Sequence, residues 1–206
     1  MISKPIIGIL GAIGSGKSTV ARLFGESGFA VIDADKLVDE LYHDKEFIRN
    51  KLLPIFGEKV IDCCGKVNRK AISDVVFNDS QKLKELNSVV HPSIIAEFER
   101  KTIVLKSAEG VRGVVWDVPL LVETGMHNSC DYLIFVEANI ENCVDRVVKR
   151  SGIQKKEWKK RQNSQILLDK KKKLANYIIY NNADTYALTG QVADVISGIF
   201  HNCSGD

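Results

Sequence analysis

The sequence predicts an α/β fold, a parallel sheet between layers of helices, and three observations carry the prediction. An apolar run, Pro5 to Leu10, leads straight into a glycine-rich turn and a helix. A second apolar run, Phe29 to Ile32, follows that helix. Later apolar runs at Gly113 to Val118, Tyr132 to Val136 and Tyr177 to Tyr180 alternate with helical patterns. Strand, tight loop, helix, strand is the opening of a parallel sheet, because a parallel neighbour is reached only through a crossover.

The first strand carries isoleucines, as a buried strand does. Ser18 to Ser27 places Val20, Leu23 and Phe24 at helical spacing and closes at Gly28. The second strand ends in Asp33-Ala34-Asp35. Nearly eighty residues then separate it from the third strand, far more than one crossover helix needs. Helical patterns fill that interval at Glu46 to Phe56, Ala71 to Phe77, Gln81 to Val90 and Pro92 to Lys106, which predicts a helical insertion. Ile140 to Arg150 reads as a helix, the basic segment after it as more helix, and Val192 to Phe200 as the closing helix. The expected division is one domain over 1–206, with a core of 1–35, 113–147 and 177–206, an insertion of 36–112 and a segment of 148–176 set apart by its charge.

With 206 residues, 45% of them apolar and 27% charged, the chain buries a core without disorder or membrane character. The short apolar run near the N-terminus is too brief for a signal peptide, so a soluble, cytoplasmic protein with no membrane partner is expected. Cys63, Cys64, Cys130, Cys143 and Cys203 form no metal-binding spacing, which predicts free thiols and no zinc. The net charge of +3 is uneven: Lys149 to Lys173 holds eleven Lys or Arg against Glu157 and Asp169, leaving the remainder at −6. Such a concentration suggests that an anion is handled there. Of the aromatics only Trp158 interrupts the run, so a base-stacking surface for nucleic acid is not expected.

Gly11-Ala12-Ile13-Gly14-Ser15-Gly16-Lys17-Ser18 meets G-x-x-x-x-G-K-[ST] at every fixed position. Glycines allow backbone conformations that turn successive N–H groups toward an anion, and the helix opening near Lys17 adds its positive end. Lys17 is placed to reach the β- and γ-phosphates of ATP, and the Ser18 hydroxyl to ligate Mg²⁺. With Thr19, these nine residues are the expected ATP site, and the fold is expected to be a three-layer P-loop NTPase core with a parallel sheet and a helical insertion.

The loop is shared by kinases, GTPases and motors. A regulatory GTPase is disfavoured: Asp117-Val118-Pro119-Leu120 lacks a switch glycine, and Asn181-Asn182-Ala183-Asp184 lacks the lysine of a base-reading motif, leaving Asn181-Asn182 to read as a strand-end turn. A small-molecule kinase needs a carboxylate near the acceptor hydroxyl, and Asp33 and Asp35 end the strand where one is expected. Either could be the base. Asp117 closes a buried strand and is the expected partner of Ser18 at Mg²⁺. A nucleoside monophosphate kinase or another P-loop kinase is the alternative on residues alone.

Several signatures together resemble the dephospho-CoA kinase family: Gly14 to Thr19, Val31 to Asp35, His91-Pro92, Pro119-Leu120-Leu121-Val122-Glu123, Arg146, Arg150, Arg161, Gln165 and Asn181-Asn182. The resemblance spans nearly the whole chain. It departs at Ala12, where a glycine is common, at the loosely matching Val67 to Lys70, at Ala175-Asn176, and at the unusually basic Lys170 to Lys173. It implies ATP and dephospho-CoA as substrates, Asp35 as base, Lys17 and Arg150 on the transferring group, and Ser18 bridging through Mg²⁺. It also implies Asp33, His91, Pro119, Leu120 and Glu123 on the acceptor side, an acceptor lobe in the insertion and a lid on the basic segment. A monomer or small homo-oligomer is expected.

Overall fold

The structure, a computed structural model, describes residues 4–152, 154–163, 165–182 and 185–202. Cys203 and Asp184 lie outside them. The chain divides into two compact units, one of residues 1–32 with 102–206 and one of residues 33–101.

The first unit is built on a five-stranded sheet in the order β2-β3-β1-β4-β5, with β1 Ile6–Gly11, β2 Ala30–Asp33, β3 Val114–Asp117, β4 Tyr132–Glu137 and β5 Tyr177–Tyr180. The central strand pairs in parallel with β3 (Ile7 opposite Val115) and with β4 (Ile9 opposite Ile134), and β4 pairs in parallel with β5. Alternation along β1 explains its composition. Ile7 and Ile9 pack with Val20, Leu23 and Phe24 of α1 (Lys17–Glu26) and with Leu188, Val192 and Ile199 of α10 (Thr185–Asn202). Between them Gly8 faces the other way, where a Cβ would stand 2.5 Å from Leu121 and 2.8 Å from the Cys130 sulfur. A side chain there would force those groups to move. The basic segment follows α7 (Ile140–Ser151) as α8 (Lys155–Asn163) and α9 (Leu168–Leu174), with α8 on α7 and α9 on β1 and β4.

The second unit is helical. Helix α2 (Ala34–Leu41), which the sequence pattern did not suggest, starts where Asp33 accepts the N–H groups of Asp35 (2.8 Å) and Lys36 (3.3 Å). The expected helix over 46–56 is α3 (Lys45–Phe47), a π-helical turn (Ile48–Leu52) and α4 (Leu53–Phe56) in succession; the ladder widens just before Pro54, which has no N–H to donate. Helix α5 covers Arg69–Asn78.

The expected break at His91-Pro92 is not there. Helix α6 runs unbroken over Ser80–Ser107 with Pro92 inside it. An interior proline costs about 3 kcal/mol. Leu86, Val90, Ile94 and Phe98, one buried residue every fourth position on both sides of it, each contribute about 1.5–3 kcal/mol, so burial outweighs the break. His91 is therefore a half-buried mid-helix residue and does not begin a helix. Among the described residues no helix is long and apolar enough to cross a membrane.

Replacing Gly8 with alanine should lower stability by about 1–3 kcal/mol, the usual cost of overpacking. A denaturant midpoint unchanged from wild type would show that Leu121 and Cys130 move aside freely.

Candidate active site

The phosphate loop, residues 11–18, joins β1 to α1. Gly14 (φ +84°) and Gly16 (φ +97°) hold conformations that L side chains avoid, and a Cβ would lie 2.4 Å from the Cys143 carbonyl at Gly14 and 2.1 Å from Asn181 at Gly16. Helix α1 begins at Gly16 with no side-chain cap, unlike α2 with Asp33, so its first N–H groups stay open to an anion.

The carbonyls of the loop are held from outside. Arg146 on α7 donates to the oxygens of Gly14 (3.5 Å) and Ser15 (3.3 Å), and through its other nitrogen to Asn181 (3.1 Å). The buried Asn181 side chain, at the end of β5, donates to the Ser15 oxygen at 2.7 Å. Carbonyl and N–H of a trans peptide point in opposite directions, so fixing the Ser15 oxygen outward turns the Gly16 N–H inward, while the Ser15 N–H closes the loop on the Ala12 oxygen at 3.1 Å. Asn181 is thus a brace of the loop, not the simple strand-end turn that its sequence suggests; its neighbour Asn182 accepts the Asn139 N–H at 2.7 Å, tying the end of β5 to the start of α7.

Lys17 folds back on the loop, its Nζ donating to the oxygens of Ala12 (2.9 Å) and Gly11 (3.3 Å). Burial lowers its pKa from 10.5 to about 8; the Asp117 carboxylate opposes that shift and the Lys171 charge adds to it, while Cys143 and Glu123 pull it back upward. Asp117, buried at the end of β3, thereby belongs to the same electrostatic neighbourhood as Lys17. Ser18 is exposed in the first turn of α1 and Thr19 follows it, half-buried.

After β3 the chain exposes Pro119 and Leu120 and turns Glu123 inward. One Glu123 oxygen accepts Lys171 at 2.8 Å and the Ile166 N–H at 3.0 Å, and the other is buried without a hydrogen-bond partner among the described residues. Lys171 is 2% exposed and also reaches Gln165 at 3.3 Å. The lysine run is therefore not uniform: Lys170 and Lys173 are solvated, whereas Lys171 is a core residue. Arg150, one turn beyond Arg146, is exposed. In the helical unit Asp33 is engaged as the cap of α2, Asp35 is exposed in the first turn, and His91 lies in α6.

The dephospho-CoA kinase family model matches residues 5–186. This chain belongs to the dephospho-CoA kinase family. It is 34% identical to the dephospho-CoA kinase of Fusobacterium nucleatum, over 89% of this chain and 92% of that one, and 35% identical to that of Aquifex aeolicus, over 92% and 94%. Among solved structures, dephospho-CoA kinase from Campylobacter jejuni superposes with a TM-score of 0.72 at 26% identity, covering 95% of this chain and 97% of that one. TT1252 from Thermus thermophilus reaches a TM-score of 0.80 at 32% identity with the same coverage. Family motifs account for Arg146, Gln165 and Asn181. They do not single out Trp158, Gln162 or Lys171, whose partners are distant in sequence.

Two outcomes are expected. Lys171→Met removes the cation paired with the buried Glu123 and should cost about 3–5 kcal/mol, whereas Lys171→Met with Glu123→Leu should recover most of it; equal denaturation midpoints for the single variant and wild type would contradict this. An anion beside Lys17 raises its pKa again, so nucleotide binding between pH 8 and 10.5 takes up a proton and affinity falls as pH rises above 8. Titration calorimetry with MgADP at about pH 9, in buffers of different ionisation enthalpy, should record the uptake, and at about pH 6.5 should not.

Proposed function

We propose that the chain transfers the γ-phosphoryl group of ATP to the ribose 3′-hydroxyl of dephospho-CoA, giving coenzyme A and ADP. The observation that carries the reading is the phosphate loop: its carbonyls are braced outward and Lys17 lies on it beside Asp117, in a chain matched by one kinase family over nearly its whole length.

In this reading the bond from the 3′-oxygen to the γ-phosphorus forms as the bridging bond to ADP breaks, and a carboxylate takes the hydroxyl proton. Asp35 is that carboxylate. Asp33 already accepts two N–H groups as the cap of α2, which favours Asp35 over it. Lys17 and Arg150 offset charge on the transferring group, and Arg146 is occupied by loop carbonyls, which leaves Arg150 as the arginine of α7 for that role. Asp33, His91, Pro119, Leu120 and Glu123 belong to the acceptor side. Residues 36–112 serve as the acceptor lobe and 148–176 as a lid, on a protein working in the cytoplasm.

A hydroxyl at Ser18 and a carboxylate at Asp117 are hard oxygen donors, and among the described residues no cluster of three His, Cys, Asp or Glu forms a closed protein cage. That donor set suits Mg²⁺ carried largely by nucleotide phosphates. Bound there, the ion would neutralise charge on the β- and γ-phosphates; the protein's own part is to orient them.

ADP release with ATP, Mg²⁺ and a panel of dephospho-CoA, AMP, CMP and shikimate should show turnover with dephospho-CoA alone. Turnover with a nucleoside monophosphate and none with dephospho-CoA would move the chain to the alternative class. Asp35→Asn should lower kcat by about 10²–10⁴-fold while ATP still binds; near-normal kcat would remove Asp35 as the base.

A further inference from the structure

The Ile13 residue of the phosphate loop is gripped at both of its main-chain polar groups by one helix. The Gln162 side-chain oxygen accepts the Ile13 N–H at 2.9 Å, and the Trp158 indole N–H donates to the Ile13 oxygen at 3.0 Å. Both side chains project from α8, one turn apart. Trp158 is 5% exposed and packs with Ala12, Cys143, Val144 and Val147, so its ring is fixed before it donates.

Peptide planarity carries each grip across to the opposite side of the loop. The Ile13 N–H shares its plane with the Ala12 carbonyl, and that carbonyl is the nearer of the two on which Lys17 rests, at 2.9 Å. Holding the N–H at Gln162, together with the Ser15 N–H that the same carbonyl accepts at 3.1 Å, therefore sets the seat of the Lys17 ammonium. The Ile13 carbonyl shares its plane with the Gly14 N–H. Holding the oxygen at Trp158 turns the Gly14 N–H the other way, toward the interior of the loop. With both planes fixed, the φ and ψ of Ile13 are fixed as well, and Gly14 enters at its φ of +84° against α7.

We propose that Gln162 and Trp158 are positioning residues for the nucleotide phosphates: Gln162 places Lys17 through the Ala12–Ile13 peptide, and Trp158 aims the Gly14 N–H. The basic segment thus supplies more than charge. Its helix α8 locks the first half of the loop, as Arg146 and Asn181 lock the second. The proposal rests on residues 11–18 being the ATP site and is independent of which acceptor is used.

The test measures MgADP affinity by calorimetry for wild type, Gln162→Met, Trp158→Phe and the double variant, with KM for ATP and for dephospho-CoA alongside. Methionine keeps the length of Gln162 without an oxygen acceptor, and phenylalanine keeps an aromatic ring without the donor. Each single variant should weaken MgADP by about three- to tenfold, the worth of one neutral hydrogen bond. KM for ATP should rise in parallel while KM for dephospho-CoA stays within about twofold. Because both grips act on one residue, the double variant should lose less than the product of the singles. Unchanged or tighter MgADP binding in Gln162→Met overturns the proposal, as does an equal rise in both KM values or strictly multiplicative losses. If Trp158→Phe loses its fold, Gln162→Met alone decides, since that side chain is only half-buried. Wild-type protein that fails to bind MgADP would instead overturn the reading of the loop itself.

Discussion

The site depends on one constraint, the planarity of the trans peptide, applied to a loop whose carbonyls all have somewhere else to go. A glycine-rich turn in isolation samples many conformations, and an array of N–H groups pointing at one spot is electrostatically unfavourable while no anion is bound. Here the oxygens of Ile13, Gly14 and Ser15 are taken by Trp158, Arg146 and Asn181, and the bonds to Ile13 and Ser15 orient the Gly14 and Gly16 N–H groups toward the inside. Those braces come from α8, α7 and the end of β5. Sheet order explains how they converge: β1 is central, so the loop at its C-terminal end emerges among elements that follow β4 and β5.

Charge near the loop follows the same economy. Lys17 sits in a buried setting that disfavours its charge, with Lys171 adding repulsion and Asp117 opposing it. Lys171 is in turn neutralised by Glu123, which also takes the Ile166 N–H. The turn after β3 and the end of the basic segment are thereby tied by one carboxylate. A buried pair of this kind is a poor source of net stability, because desolvation offsets its attraction. Its value is geometric, since Glu123 holds both Lys171 of α9 and the main chain at Ile166 against the turn that follows β3.

Legibility in the sequence varied with the range of the interactions involved. The phosphate loop, the strands and the long helical interval were all readable, because glycine spacing, β-branched runs and apolar periodicity are local. Helix α2 was missed although Asp33 is an ordinary capping residue; two carboxylates beside a nucleotide loop invited a chemical reading that hid the structural one. Two helices meeting at His91-Pro92, the second opening on Pro92, were expected from proline's own properties, but the buried face formed by Leu86, Val90, Ile94 and Phe98 carries one helix through. Lys171 was indistinguishable from its neighbours in the lysine run, since nothing local marks which lysine faces a buried glutamate.

By itself the sequence determined the phosphate loop and its chemistry: the pattern from Gly11 to Ser18 demands backbone conformations and donors that serve an anion, whatever surrounds them. It also determined the family, through motifs spread along the chain. The tertiary structure decided what holds that loop in shape. Ile13 meets Trp158 and Gln162 from nearly 150 positions away, and Ser15 meets Asn181 from farther still. Such contacts exist only once the sheet has ordered its strands, so no local pattern encodes them.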